Sequence, residues 1–534
     1  MNGKLKPYYT PIIIALAVTL GFVLGNNMKQ NASLNLDSQR LFSMGKMSTI
    51  LSLISSEYVD SVSVSELEEK AIPELLKNLD PHTVYIPAKK MRDVTEEMSG
   101  NFGGIGVQFS IQNDTVMVID VVTGGPSQKL GILAGDRIVE VDDTLIAGIG
   151  VKNERVMNLL RGEIGTDVNV GIARKGYKEL IDFKITRGEI PLISVDVSYM
   201  MDDKTGFIKV SRFSEKTYEE FYEALYKLKE QSADQLIVDL RGNTGGSLGA
   251  VIRMVNEFLD EGDLILKTKG NSRPEKSLKA DSKGIWKEGK VMVLIDEFSA
   301  SASEIFAGAL QDNDRGVIVG RRSFGKGLVQ EQIPLMDGSA LRLTVARYYT
   351  PSGRSIQKPY DLGHNDDYFK DISNRYVHGE FLEKDSIEMK DTLRYYTKSG
   401  RVVFGGGGIM PDHFVPVDTT GYSDYFYKVT QKGLIYQFAF KYADEHRNEL
   451  KDKIDAMALK AKLEKDHIFD EFLKYATKKG VKTNWKDLKI SREILETQTK
   501  AYIARNILGE EGFYPIIKDI DKTLNKAQEI LKGE

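Results

Sequence analysis

The sequence predicts a multidomain α/β protein, and three observations carry that expectation. The chain has 534 residues, whereas one domain usually organises roughly 100–200. Short apolar runs alternate with helical patterns over residues 191–417, the signature of a mainly parallel sheet. From Tyr422 onward the pattern turns helical and charge-rich. A hydrophobic content of 41% and a charged content of 28% suit globular folding.

The first part, residues 1–27, reads as an export segment. Lys4 and Lys6 precede an apolar run from Pro11 to Leu24, which Tyr8 and Tyr9 extend and Asn26 and Asn27 end. A positive region before an apolar region is the pattern of a secretory signal. The run is shorter than a comfortable span of ~20 residues, but tyrosines sit well at a membrane interface. No Ala-x-Ala cleavage site follows, and no cysteine is present for lipid attachment. An uncleaved signal-anchor is expected, with the lysines inside and the bulk of the chain exported; a cleaved signal peptide is the alternative. The net charge of −4 argues against a nucleic-acid partner. The absence of cysteine excludes disulfides, thiolate metal sites and a cysteine nucleophile.

Residues 28–97 form an N-terminal helical region. Leu41, Met44, Met47, Ile50, Leu51 and Ile54 recur at helical spacing, as do Leu67, Ala71, Leu75 and Leu76. The second helix stops near Asp80-Pro81, and Leu79–Tyr85 makes a turn. From about Gly100 the pattern changes to short strands: Gly103–Phe109, Val116–Val122 and Leu133–Val141. A short helix starts at Pro126-Ser127, a longer one carries Val156, Leu159 and Leu160, and Val168–Ala173 closes with a strand. The glycine-rich turn before a strand, the Ala-Gly-Asp-Arg-Ile run and the late helix resemble a PDZ domain over residues 98–188. The resemblance implies that an extended peptide adds as a strand, its terminal carboxylate captured by backbone N–H groups. Gly103, Gly104, Ile105 and Gly106 would form that loop.

Residues 189–417 hold the α/β pattern. The apolar runs are Phe207–Val210, Leu236–Leu240, Val291–Ile295 and Gly316–Val319, with helices expected over Thr217–Gln231 and Gly246–Leu259. Residues 418–534 form a helical C-terminal extension whose apolar faces suit dimerisation, docking onto the catalytic domain or partner binding.

Three serines, Ser299, Ser301 and Ser303, lie just ahead of a helical stretch, and Lys326 stands in a glycine-flanked turn. A serine attacks a carbonyl only when a base removes its proton, and a neutral lysine amine can do so. Ser303 is placed to cap a helix over Glu304–Gln311, Ser299 ends a strand, and Ser301 occupies the turn between them, near the positive end of the helix. Four segments resemble the C-terminal processing peptidases, or tail-specific proteases: Asp239–Gly246, Ser299–Glu304, Phe324–Gln330 and Tyr349–Arg354. Leu79-Asp-Pro-His and the inserted PDZ-like domain also fit, so the resemblance covers about residues 40–417. It implies a ClpP/crotonase-like peptidase domain and no cofactor.

In that family the middle serine is the nucleophile, which is Ser301 here, and the base lies a fixed interval away, as Lys326 does 25 residues on. The resemblance assigns Gln330 to orienting the dyad. Ala302 is a candidate oxyanion donor, and Gly245 or Gly246 the second. Burial against Phe324 and Leu328 would lower the lysine pKa, as a general base requires. The expected protein is an exported serine endopeptidase that recognises C-terminal tails. It would be bound to the membrane by its N-terminal segment, on the periplasmic or extracytoplasmic face of a bacterial inner membrane. Its partners would be tailed protein or peptide substrates, with a homodimer or an adaptor also open. The alternative is a membrane-anchored peptide-binding scaffold without catalysis. Gly242-Asn-Thr-Gly-Gly246 is superficially like a trypsin-type motif, but Thr244 stands where serine is needed. The six histidines are scattered, and no His-Glu-x-x-His is present. Arg161, in Leu160–Gly165, either bridges the PDZ-like and catalytic domains or is a surface turn arginine.

Overall fold

The computed structural model describes residues 45–112, 114–387, 394–450 and 454–533, together with Ala15, Val18 and Thr19. Apart from those three residues, the expected anchor segment 1–27 lies outside the described residues. Among the described residues no helix is long and apolar enough to cross a membrane. The chain divides into two compact units, one ending at Leu76 and one running from Lys77. The first contains the helices Lys46–Glu57 and Val64–Leu76.

The second unit is built on a sheet of six strands. Their spatial order is Val195–Met200, Thr205–Val210, Gln235–Asp239, Lys290–Ile295, Val317–Gly320 and His413–Phe414. The first pair is antiparallel and the others are parallel, as strands alternating with helices require. The central strands carry apolar residues on both faces, as a sheet covered on both sides requires. Ile208, Val238, Val293 and Ile318 pack on one face against the helices Thr217–Glu230, Leu248–Asn256 and Ala302–Asp312. Phe207, Ile237, Met292, Leu294 and Val319 point the other way. There they meet Leu524, Ala527 and Leu531 of the helix Lys522–Lys532. The C-terminal extension therefore docks onto the catalytic domain and supplies the cover for its second face.

A second sheet has the order Val84–Ile86, Ala340–Tyr349, Leu264–Lys269 and Lys276–Lys279, with Leu328–Pro334 paired to the long strand Ala340–Tyr349. This sheet carries the Lys326 loop and the Leu79–Tyr85 turn to the same edge. Asp80 locks that turn: one carboxylate oxygen accepts from His82 N–H, Thr83 N–H and Thr344 Oγ1, and the other from Thr83 Oγ1.

The PDZ-like domain is a separate antiparallel sheet packed on the helix Asn153–Leu160, with Val116, Val118, Ile138, Val156 and Val170 in its core. Its neck is a ribbon of Asn101–Gly104 paired with Gly188–Pro191. Met117 and Ile119 alternate out of the core and pack on Phe440 of the helix Leu434–Leu450. The extension thus contacts both the PDZ-like domain and the catalytic sheet.

Arg354, from the Tyr349–Arg354 segment, is fully buried and binds Gln311 Oε1 and Asp312 Oδ1, each at 2.7 Å, and Phe404 O at 2.8 Å. It fixes the far end of the helix that begins beside Ser301. Replacing Arg354 by Met strands a buried carboxylate and is expected to destabilise the fold by about 3–5 kcal/mol in denaturant unfolding.

Candidate active site

Three neighbouring parallel strands deliver the catalytic segments. Asp239 leads into the turn 240–246, Ile295 into the turn 296–301, and Gly320 into the loop 321–327. Open α/β sheets bind ligands beyond the carboxyl ends of such strands. A cavity of about 590 Å³ lies there, bordered by Ser301, Lys326, Gln330, His82 and Gly246.

The three serines have different surroundings. Ser299 is buried; its hydroxyl donates to Leu240 O at 2.9 Å and accepts from Asp296 N–H at 3.0 Å. Ser303 is equally buried, and its hydroxyl donates to Asn243 O at 2.8 Å. The expectation that Ser303 caps the helix is therefore corrected. Ser301 adopts φ 55° and ψ −111°, a sharp turn that starts the helix at Ala302 and makes Ser301 its N-cap. Ser303 then falls inside the first turn. A non-glycine residue in that backbone region is strained, a condition that collects at functional sites.

Gly245 presses against this turn. A Cβ added to it would lie 2.7 Å from Ser301 Cβ and 3.0 Å from Ala302 N, and its φ is +100°. Only glycine allows that approach. The Gly245 N–H is committed to Asn243 Oδ1 at 2.9 Å. The N–H groups of Gly246 and Ala302 have no hydrogen-bond partner among the described residues, and both residues border the cavity. Of the candidate oxyanion donors, these two are free.

Lys326 Nζ donates to Gln330 Oε1 at 3.0 Å, and Gln330 Nε2 donates to His82 O at 2.5 Å. The amide is thereby oriented with its oxygen toward the lysine. Burial pushes the Lys326 amine below the ordinary lysine value; Arg342 adds to that, while Glu304 and Asp80 oppose it. No hydrogen bond joins Ser301 Oγ to Lys326 Nζ, although both face the one cavity. Catalytic hydrogen bonds often close only when substrate is bound. The His82 imidazole meets Tyr368 Oη at 2.9 Å, and burial first, then Lys326, lowers its pKa to about 4. The ring is therefore neutral at ordinary pH.

Glu304 ties these parts together. One oxygen accepts from Ser301 N–H and Lys326 N–H, each at 2.8 Å; the other accepts from Gly325 N–H at 2.7 Å and Ser323 Oγ at 2.5 Å. Ser323 Oγ accepts Ile409 N–H at 2.6 Å, so its own proton goes to Glu304. Burial pushes the Glu304 carboxyl upward, and the four donors pull against that shift. The residue types did hint at it, since Glu three positions after an N-cap serine is a capping-box spacing. Only the fold reveals that the same carboxylate also grips the lysine loop.

The PDZ-like domain has its own groove of about 310 Å³ between the strand Val107–Gln112 and the helix Asn153–Leu160. Gly104, Ile105 and Gly106 line one end of it. Gly103 does not: its N–H turns to Glu96 Oε1 at 3.3 Å, and its Cα lies against the Gly162 carbonyl. The bridging reading of Arg161 is also corrected. Its guanidinium lies 4.1 Å from the Phe102 ring centroid at the groove and makes no ion pair with the catalytic domain among the described residues.

Comparison with known proteins agrees with this geometry. Residues 204–368 match peptidase family S41, residues 103–185 match the PDZ domain, and residues 425–509 match a family of unknown function. The chain is 36% identical over 336 residues to the carboxy-terminal-processing protease of Bartonella bacilliformis, covering 62% of this chain and 76% of that protein. It is 33% identical over 368 residues to the carboxy-terminal processing protease CtpA of Bacillus subtilis, covering 67% of this chain and 76% of that one. Among solved structures, a photosystem II D1 C-terminal processing protease aligns at a TM-score of 0.36 with 25% identity, over 68% of this chain and 91% of that one. With these motifs on one cavity and this identity across most of its relatives' length, the chain belongs to the carboxy-terminal processing proteases, serine peptidases of family S41 that carry a PDZ domain.

Proposed function

We propose that the chain cuts exported proteins with Ser301 as nucleophile and Lys326 as general base, after a substrate's C-terminal tail has docked in the groove beside Gly104–Gly106. The observation that carries this reading is the meeting of Ser301, a half-buried lysine and two unpartnered N–H groups around one cavity, while Ser299 and Ser303 are bonded elsewhere.

The Ser301 hydroxyl attacks the scissile carbonyl as its proton passes to the neutral Lys326 amine. The carbonyl oxygen gains charge and turns to Gly246 N–H and Ala302 N–H, the latter at the positive end of the helix Ala302–Asp312. The lysine ammonium then gives its proton to the leaving nitrogen, and the C–N bond breaks. Water attacks the resulting ester with Lys326 again taking the proton; the bond from the acyl carbon to Ser301 Oγ breaks, the ammonium returns that proton to Oγ, and the carboxylic acid product departs. Gln330, held by His82 O, keeps the amine at the cavity through both steps.

We also propose that residues 8–24 anchor the protein, placing the peptidase on the extracytoplasmic face of a bacterial inner membrane. The lysines before an apolar run support this placement. The two PDZ ribbon strands and the neck at Gly100 leave the peptide groove a separate site from the cavity, which suits recognition of a tail distant from the cut.

Ser301→Ala is expected to abolish hydrolysis of an unfolded tailed substrate while leaving tail binding intact. Lys326→Arg, which keeps the charge but is never neutral, should lower kcat by at least ~100-fold. Equal turnover by Lys326→Arg would remove the lysine from the base role. Activity needs the deprotonated amine, so kcat/KM should rise with pH along a limb set by Lys326, below the pH where a free lysine titrates. Arg342→Gln removes a cation that disfavours the ammonium, so the limb should move to higher pH in a pH–rate profile. Alkaline extraction should leave the full chain in the membrane pellet and release a variant lacking residues 1–27.

A further inference from the structure

The C-terminal extension reaches the catalytic centre through one ion-pair chain. Arg241 opens the turn that carries Gly245 and Gly246. One edge of its guanidinium is held by Asp239, with Nε 3.0 Å from Oδ1 and Nη2 2.6 Å from Oδ2. The other edge is held from 280 residues away by Asp521, with Nη1 2.9 Å from Oδ1 and Nη2 2.6 Å from Oδ2. Lys209 Nζ completes the cluster, donating to Asp239 Oδ1 at 3.2 Å and to Arg241 O at 2.5 Å. The next residue, Gly242, has φ +72° and donates its N–H to Asp296 Oδ1 at 2.9 Å. Asn243 then accepts Ala300 N–H on its carbonyl at 3.0 Å. A rigid path therefore runs from Asp521 through Arg241 to the glycines facing Ser301.

Asp521 is itself fixed. It is the N-cap of the helix Lys522–Lys532, accepting Leu524 N–H at 3.1 Å, and that helix is seated on the second face of the catalytic sheet. A fork held bidentately on both edges has a defined orientation, which a single pair does not impose. Asp239 alone leaves Nη1 of Arg241 without a carboxylate and one edge of the guanidinium unheld.

We infer that Asp521 is a positioning residue for the peptidase reaction, through which the C-terminal extension sets the oxyanion turn by way of Arg241. This inference rests on the Ser301–Lys326 reading and on Gly246 as an oxyanion donor. It gives the extension a part in catalysis: an element outside the matched peptidase region holds the donor in register with the nucleophile. Misplacement of a donor by a fraction of an ångström acts on the transition state and leaves ground-state binding largely alone.

The test uses the full chain and a short peptide substrate with an amidated C-terminus, so that the PDZ groove does not contribute. Asp521→Asn keeps a helix cap, because Asn caps as well as Asp, but removes the charge that grips Arg241. Its kcat is expected to fall about 10- to 100-fold with KM changed less than about threefold. Asp521→Glu should recover most of the loss, and the affinity for a labelled C-terminal peptide should stay at the wild-type value in all variants. Asp519→Asn, two residues away and paired with Lys460 at the surface, should retain wild-type kcat. If Asp521→Asn does not fold, Asp521→Ser keeps the cap with a smaller side chain and gives the same reading. Wild-type kcat in the folded Asp521 variants, a loss confined to KM, or an equal loss in Asp519→Asn would each overturn the role of Asp521. Ser301→Ala run in parallel separates the two levels: its inactivity beside an unaffected Asp521→Asn overturns the positioning role alone, and its continued turnover overturns the Ser–Lys reading and the inference with it.

Discussion

The active site depends on a buried carboxylate. Glu304 accepts four hydrogen bonds from two loops, and two of its donors are the backbone N–H groups of Ser301 and Lys326. The Ser301 turn and the Lys326 loop thus share one acceptor, from which neither can shift without stranding buried N–H groups. Each stranded donor costs about 1–3 kcal/mol. The arrangement is costly in a second way, because a carboxyl group is fully buried. Its four donors pull its carboxyl down against the upward push of burial, and burial and Arg342 bring the lysine down against the pull of Glu304. Ser301 pays a further conformational strain at φ 55°. The surrounding turns hold these unfavourable states in place: Gly245 packed on Ser301, Asp296 binding Gly242, Phe298 and Ser299, and Asp80 fixing the His82 carbonyl.

The catalytic sheet shows how the domains depend on one another. Its strands are apolar on both faces, and the helices of the peptidase region cover only one. The helix Lys522–Lys532 covers the other, and Phe440 of the same extension receives the outward-facing Met117 and Ile119 of the PDZ domain. The PDZ domain is held by the side of its sheet remote from the core, which leaves the edge strand Val107–Gln112 and its groove open to a peptide. Recognition and hydrolysis are therefore spatially distinct but share one scaffold.

Much of this was legible from sequence where the signal is local. The parallel strands follow from apolar runs of four or five residues between helical patterns, and Ser301, Lys326 and Gln330 from short motifs in fixed register. The failures share a physical cause. Ser303 looked like a helix cap because the left-handed turn at Ser301, which moves the helix start, has no composition of its own. Gly245 and Gly246 were indistinguishable as donors until Asn243 was seen to take the Gly245 N–H through an Asx turn. Arg161 is an ordinary surface arginine by type, and Phe102, on which it stacks, lies across the domain neck. Asp521 and Arg241 are separated by 280 residues, so only the tertiary fold brings them together.

The placement of the helix Lys522–Lys532 bears on how the enzyme comes into being. Synthesis follows sequence order, so the strands ending at Ile295 and Gly320 emerge about 200 residues before that helix does. Until it arrives, Met292, Leu294 and Val319 present a bare apolar surface and Arg241 lacks its outer clasp. A nascent or prematurely terminated chain thus has every catalytic side chain yet not the assembled machine. The last helix to be made is therefore the one that seals the sheet.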